Sequence, residues 1–99
     1  MLNDKELDAA INNTTAPRVT KEYMESRIKD KTFLKIGETV TLCNITLDNG
    51  YSVRGESACV NAANYRQEIG EKIAYDNAFN KLWPLFGFDL AETQHKKAA

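Results

Sequence analysis

The chain has 99 residues, 42% of them hydrophobic and 27% charged, with a formal net charge of −1. That describes one domain, large enough to bury a core without disulfides or metals. The near-zero charge argues against bulk electrostatic binding to nucleic acid or an anionic membrane. With only Cys43, Cys59 and His95 available, a secreted disulfide framework, a zinc site and a His-based triad are excluded by inventory.

In chain order, Asn3 is a helix cap, with Leu7, Ala10 and Ile11 on one face of a short helix within residues 2–12. A polar linker ending at Pro17 follows, so residues 1–16 are expected to be an N-terminal extension and residues 17–90 a single domain. Thr20 is the next cap, with Glu22 in the first turn and Val19 and Met24 as a hydrophobic staple. This predicts a helix from Lys21 to about Asp30 that buries Met24 and Ile28 with help from Tyr23.

Thr32 to Ile36 reads as a strand, and Gly37-Glu38 as a two-residue turn of the Gly-X type. In that register Leu34 faces Thr41, Leu34 and Ile36 share a face with Cys43, Ile45 and Leu47, and Phe33 lies opposite them with Leu42. For the next hairpin two loops compete. A two-residue Asn49-Gly50 loop mixes apolar and polar side chains on both faces. A three-residue Asp48-Asn49-Gly50 loop, with Gly50 left-handed, sets Leu47 against Tyr51, Ile45 against Val53 and Cys43 against Gly55. Because a slip of one residue sends a whole side-chain set to the wrong face, the segregating three-residue loop is preferred.

A long C-terminal helix is expected to begin near Asn61 and to cover the sheet with Tyr65, Ile69, Ile73, Phe79, Trp83 and Phe86. Pro84 should kink or end it after Trp83, with Gly87 as C-cap, and Glu68 and Lys72 form a supporting pair. Residues 91–99 carry no core signal and are expected to be a flexible tail. The predicted architecture is α+β: an N-terminal helix, a three-stranded antiparallel meander and a long C-terminal helix packed on it. A second stripe, Gly70, Ala74, Ala78 and Leu82, permits close approach of another backbone. Either the helix near Lys21 packs there or a second subunit does; the second subunit is favoured, which makes a homo-oligomer the expectation.

The polar groups cluster where the second hairpin passes into the helix: Arg54, Glu56, Ser57, Asn61, Asn64, Tyr65 and Arg66. A helix start offers free N–H groups, and two arginines add bidentate donors, so the cluster is a candidate site for an anion or nucleotide. The bland alternative is that Glu56 pairs with an arginine, Asn61 caps a helix and the rest are solvated. Glu68, Glu71 and Asp76 read as a solvated face, and Ser57 has no histidine partner, so no catalytic residue, metal or cofactor is assigned. Tyr51, Tyr65, Tyr75 and Trp83 have the chemistry to stack on bases, although core or interface roles fit their faces better.

Three runs are more specific: PRVTKEYMESRI, TVTLCNITLDNGYSVRGESACV and NYRQEIGEKIAYDNAFNKLWPLFGFDL. Together, over about Pro17 to Leu90, they resemble the phage gene-product 49/66 family of short tailed-phage and prophage proteins. The resemblance carries no enzymatic activity, cofactor or catalytic residue. It implies a phage accessory protein in the host bacterial cytoplasm, not an enzyme, that binds a host protein or a small anionic or nucleotide ligand. Such a protein inhibits a host defence factor or acts as a sponge for a signalling molecule. A nucleic-acid-associated accessory protein is the alternative. The chain has no apolar run of membrane-spanning length and no hydrophobic signal region in MLNDKELDAA.

Overall fold

The three-residue loop forms: Gly50 has φ +91°, its N–H donates to the Leu47 carbonyl at 2.9 Å, and the Leu47 N–H donates to the Tyr51 carbonyl at 2.8 Å. Strands β2 (Val40–Leu47) and β3 (Ser52–Ala58) pair antiparallel with Ile45 opposite Val53, Cys43 opposite Gly55 and Asn44 opposite Arg54. This computed structural model describes residues 1–98.

The first hairpin differs from expectation. Strand β1 runs Ile28–Ile36 and joins β2 through a three-residue turn, residues 37–39, with Gly37 at φ +62°. The added residue shifts the register: Phe33 pairs with Cys43, Leu34 with Leu42 and Ile36 with Val40. Phe33 therefore joins the core-facing set, whereas Leu34 and Ile36 turn to the outer face and stay exposed. Gly37 supplied the positive φ for either turn, and the Glu38-Thr39 pair did not announce the longer one. The three strands form a meander in the order β1-β2-β3.

Helix α1 (Asp4–Asn12) carries a full capping box, with Asn3 Oδ1 accepting from the Glu6 N–H at 2.8 Å and Glu6 Oε1 from the Asn3 N–H at 3.2 Å. Helix α2 is only Lys21–Ser26, capped by Thr20 and burying Met24. It stops earlier than expected because Ile28 already pairs with Leu47 in the sheet. Asn61 caps as predicted, but caps a 3-10 turn, Ala62–Asn64; helix α3 starts at Gln67 and ends at Asn80. Helix α4 then runs Leu82–Ala98. Pro84 lies in its first turn, where a missing N–H costs no helical hydrogen bond. The break falls at Lys81 instead, Gly87 is an interior residue, and residues 91–98 are helical. Ala99, the last residue of the predicted tail, lies outside the described residues.

Helix α3 covers the inner face of β2 and β3, with the faces of the helix exchanged relative to expectation. Gly70, Ala74, Ala78, Phe79 and Leu82 are buried, while Ile69 and Ile73 are about half exposed. The small residues let the helix axis come down onto the strands at Gly55, a closeness that Ile69 and Ile73 would prevent. The stripe proposed for a second subunit is thus covered within one chain, so the predicted oligomer contact through Gly70, Ala74, Ala78 and Leu82 is not available. The core gathers Met24, Cys43, Ile45, Leu47, Val53, Phe79 and Phe86 around this contact. Full enclosure of a side chain such as Ile45 or Leu82 contributes roughly 1.5–3 kcal/mol each.

Candidate functional site

The seven residues of the predicted anion site do not converge. Strand alternation sends Arg54 and Glu56 to the outer face of the sheet, in the rows of Asn44 and Leu42. There Arg54 Nη1 donates to Asn44 Oδ1 at 3.2 Å and Ser52 Oγ at 3.0 Å. On the inner side, Ser57 Oγ donates to the Gly70 carbonyl at 2.8 Å, and the Tyr65 hydroxyl bonds Thr41 Oγ1, a buried polar group, at 2.9 Å. Asn61 Oδ1 is committed to the Ala63 N–H, and Arg66 pairs with Glu68 at 3.1 Å. Ser57, Asn64, Tyr65 and Arg66 do border one cleft with Cys59, but its volume is about 60 Å³. Ligand pockets run to several hundred cubic ångströms. Glu68 goes to Arg66, and the predicted Glu68–Lys72 pair is replaced by Lys72–Asp76 at 2.7 Å.

A better-formed recess lies at the other end of the hairpin. Arg27, immediately after α2, forks onto Asp48 in the β2–β3 loop, Nε to Oδ1 and Oδ2 at 2.9 and 2.8 Å and Nη2 to Oδ1 at 2.8 Å. Its Nη1 also donates to the Tyr23 hydroxyl at 3.1 Å, and the Asp48 N–H donates to the Arg27 carbonyl at 2.9 Å. The guanidinium lies 5.6 Å from the centre of the Phe86 ring, and Tyr23 meets that ring edge-on at 5.9 Å. The Asp48 and Tyr23 hydrogen bonds hold the Arg27 pKa above its ordinary value, and Arg27 holds the Asp48 carboxyl below the usual carboxylate range.

This network fixes three elements, α2, the loop and α4, around a groove of about 330 Å³ lined by Leu47, Asn49, Tyr51, Leu85, Phe86 and Asp89 beside Arg27. A second groove shares Phe86 and Asp89 and continues past Tyr23 to Arg18, Val19, Leu90 and Thr93. Tyr51 and Leu85 in the first groove and Tyr23 in the second are all more than a third exposed. Asp89 takes part in none of the ion pairs among the described residues. Across α4 a third recess of about 370 Å³ holds Lys21, Glu25, Lys72, Tyr75, Asp76 and Trp83, the last 39% exposed where the sequence predicted burial.

Sequence reasoning missed this region, although a signal existed. Trp83, Leu85, Phe86 and Phe88 fall within six residues, and a helix cannot turn all four toward one surface. Phe86 takes the core and the others are left outside.

The family model described as the Phage protein (N4 Gp49/phage Sf6 gene 66) family matches residues 19–94. The chain belongs to that family. No curated protein and no solved structure compared with it matches. The matched span of this phage protein contains the sheet, α2, α3 and most of α4, and so every residue lining the main groove; α1 lies before it. No helix among its described residues is long and apolar enough to cross a membrane.

Proposed function

We propose that this phage accessory protein is a binding module, not an enzyme, that acts in the host bacterial cytoplasm by docking on a host protein and inhibiting it, a defence factor being the expected class of target. The observation that carries the reading is the aromatic and aliphatic groove between the β2–β3 loop and α4. Exposed Tyr51 and Leu85, with Tyr23 in the adjoining groove, border a recess whose walls are held by the Arg27–Asp48 fork. Rigid aromatics around a recess are the usual anchors of protein interfaces. Asp89 at the rim adds a negative charge that suits a basic residue of the partner. The sponge reading, for a small anionic ligand or nucleotide, has less support, because Arg54 and Glu56 stand on the far side of the sheet from Ser57, Asn64, Tyr65 and Arg66.

The test begins with capture from host cells by wild-type protein and by a Tyr51→Asp/Leu85→Asp variant. A host protein retained by the first alone should bind purified wild-type protein and lose activity on doing so. If purified candidates bind both versions equally, the groove is not the docking site. A rise in melting temperature with nucleotides, removed by Arg66→Ala, would overturn the protein-partner reading in favour of the small anion.

A further inference from the structure

The sheet has two open edges, and only one is defended. On β1, Lys31 and Lys35 turn to the inner side, their Nζ atoms 4.9 Å and 4.4 Å from the centres of the Tyr75 and Tyr65 rings, and the register is broken between Ile28 and Asp30. Inward-pointing charges and irregular pairing keep other strands off an edge. Strand β3 has neither: Ser52–Ala58 holds no lysine, no proline and no break in register. Its free backbone groups follow from the ladder. The Cys59 N–H donates to the Thr39 carbonyl at 2.9 Å and the Leu47 N–H to the Tyr51 carbonyl at 2.8 Å, so the bonded pairs fall on odd-numbered residues. Ser52, Arg54, Glu56 and Ala58 therefore point their N–H and C=O groups away from β2. Asn77 Nδ2 reaches one of them, the Glu56 carbonyl, at 2.8 Å, and that oxygen keeps a second lone pair.

Two other features of this edge have no partner within the chain. On the outer face, Arg54 has only the neutral partners Asn44 and Ser52, and Glu56, two residues on, takes part in none of the ion pairs among the described residues. On the inner side, α3 borders the edge with the row Ile69, Ile73 and Asn77. The two isoleucines are 51% and 46% exposed and lie beside Ser57 and Ala58. Helix α3 is also placed so that a neighbour fits. A Cβ on Gly70 would meet Thr41 and Ser57, which are cross-strand partners, so the helix runs along the β2–β3 pair. A second β2–β3 pair continuing the sheet would carry its own α3 two strand spacings away, about 9.5 Å. Helices pack at roughly 8–10 Å.

We propose that β3 of a second copy adds antiparallel to β3 about a two-fold axis through Gly55, joining the two sheets into one. In that register Arg54 lies opposite Glu56 of the partner subunit, and Glu56 opposite Arg54 of the partner subunit, both at positions whose backbone groups point outward. Backbone hydrogen bonds and opposite-charge pairs then form together. Gly55 meets its own copy at the closely spaced position between them, where it has no side chain to accommodate. Ile69 and Ile73 are covered by the partner's α3. The paired charges select a second copy over an unrelated strand, because Arg54 and Glu56 are each other's complement under a two-fold.

The experiment uses full-length chains. Wild-type protein should be a dimer by light scattering at high micromolar concentration, with the Arg54 and Glu56 amides slow in hydrogen exchange. Arg54→Glu sets carboxylates opposite one another, and Glu56→Arg sets guanidinium groups opposite one another. Each alone should be a monomer with unchanged circular dichroism, since both side chains are exposed. Mixed together, the two variants regain opposite charges at every position and should form a heterodimer. Ile73→Lys leaves the strand untouched and should also be a monomer, with those two amides exchanging rapidly. A wild-type monomer, a mixture that stays monomeric, or a dimer whose Arg54 and Glu56 amides exchange as fast as in Ile73→Lys would each overturn the proposal. A monomer in which those amides slow only when a captured host protein is added would overturn it too, and would assign the edge to that partner.

Discussion

Gly55 of β3 and Ala78 of α3 meet backbone to backbone. A Cβ on Gly55 would stand 2.6 Å from the Ala74 carbonyl oxygen and 2.7 Å from the Asn77 carbonyl carbon, and closer still to the Ala78 nitrogen. Neither side can yield, since the contacting atoms belong to the helix backbone and the helix is tied to the strand on either side. The Asn77 side chain donates to the Glu56 carbonyl at 2.8 Å, and Ser57 Oγ donates to the Gly70 carbonyl at 2.8 Å. Gly55→Ala should therefore lower stability in chemical denaturation by at least the roughly 1–3 kcal/mol of an overpacked core. Gly87→Ala is the control: its Cβ meets nothing within 4 Å inside α4, so it should be neutral or stabilising by up to about 1 kcal/mol.

That contact also shows what the sequence could and could not convey. The second hairpin was legible because only one register segregated Cys43, Ile45, Val53 and Leu47 from Asn44, Arg54 and Thr46, and that register forms. The face of α3 was not legible in the same way. Ile69 and Ile73 have more surface to bury than Gly70 and Ala74, and a hydrophobicity argument prefers them. Backbone proximity at Gly55 is a property of two segments together, and it reverses that preference. The same limit applied to the first hairpin, where the length of the Gly37 turn decided whether Phe33 or Leu34 entered the core. The candidate groove depends on Arg27 and Asp48, 21 positions apart, which no local pattern joins. The polar residues that did cluster in sequence are divided between the two faces of the sheet.

Ala74 is completely buried under α3 with Ala78 and Leu82. A carboxylate there would be enclosed with no partner, and breaking or leaving an unpaired buried charge costs several kcal/mol. Ala74→Glu should therefore prevent folding, seen as loss of the cooperative thermal transition. A folded, soluble Ala74→Glu protein would contradict the packing of α3 on the sheet. Glu71, half-buried beside it, bonds Gln67 at 2.9 Å, and Glu71→Gln should change stability little.

Trp83 is the chain's only tryptophan and rests edge-on against Phe79, 6.3 Å between ring centres, with 39% of its surface exposed. Its native emission should lie between the buried and fully solvated limits and be quenched by acrylamide. Trp83→Ala should cost less than the roughly 3–5 kcal/mol typical of an enclosed aromatic, and less than Phe79→Ala, since Phe79 is 5% exposed.

The two thiols are free, and they should separate by reactivity. Cys43 is fully enclosed and burial pushes its thiol pKa up, so it presents neither access nor thiolate. Cys59 is half-exposed, with its Sγ 3.1 Å from the Asn61 carbonyl oxygen. Titration of the native protein with a thiol-specific reagent should give one prompt equivalent, abolished by Cys59→Ser. The second equivalent should appear only in denaturant.

The Arg27–Asp48 fork should leave a signature in the acid limb of stability. Hydrogen bonding to Arg27 lowers the Asp48 pKa below its unfolded value, so at low pH the unfolded chain binds the proton more readily than the folded one. The stabilisation is fully present above the unfolded carboxyl pKa, about 3.9, and is lost as pH falls through the lowered folded value. Asp48→Asn keeps the shape of the loop residue but cannot ionise. Its melting temperature should fall below that of wild type by a constant amount near neutral pH. The gap should narrow only below about pH 4, where wild type loses the charge, and close once Asp48 is protonated in both states. Because the same fork holds the groove wall against Phe86, Asp48→Asn should also weaken capture of the host partner at neutral pH. A gap that stays constant down to full protonation would mean that the pair contributes through shape alone, without its charge.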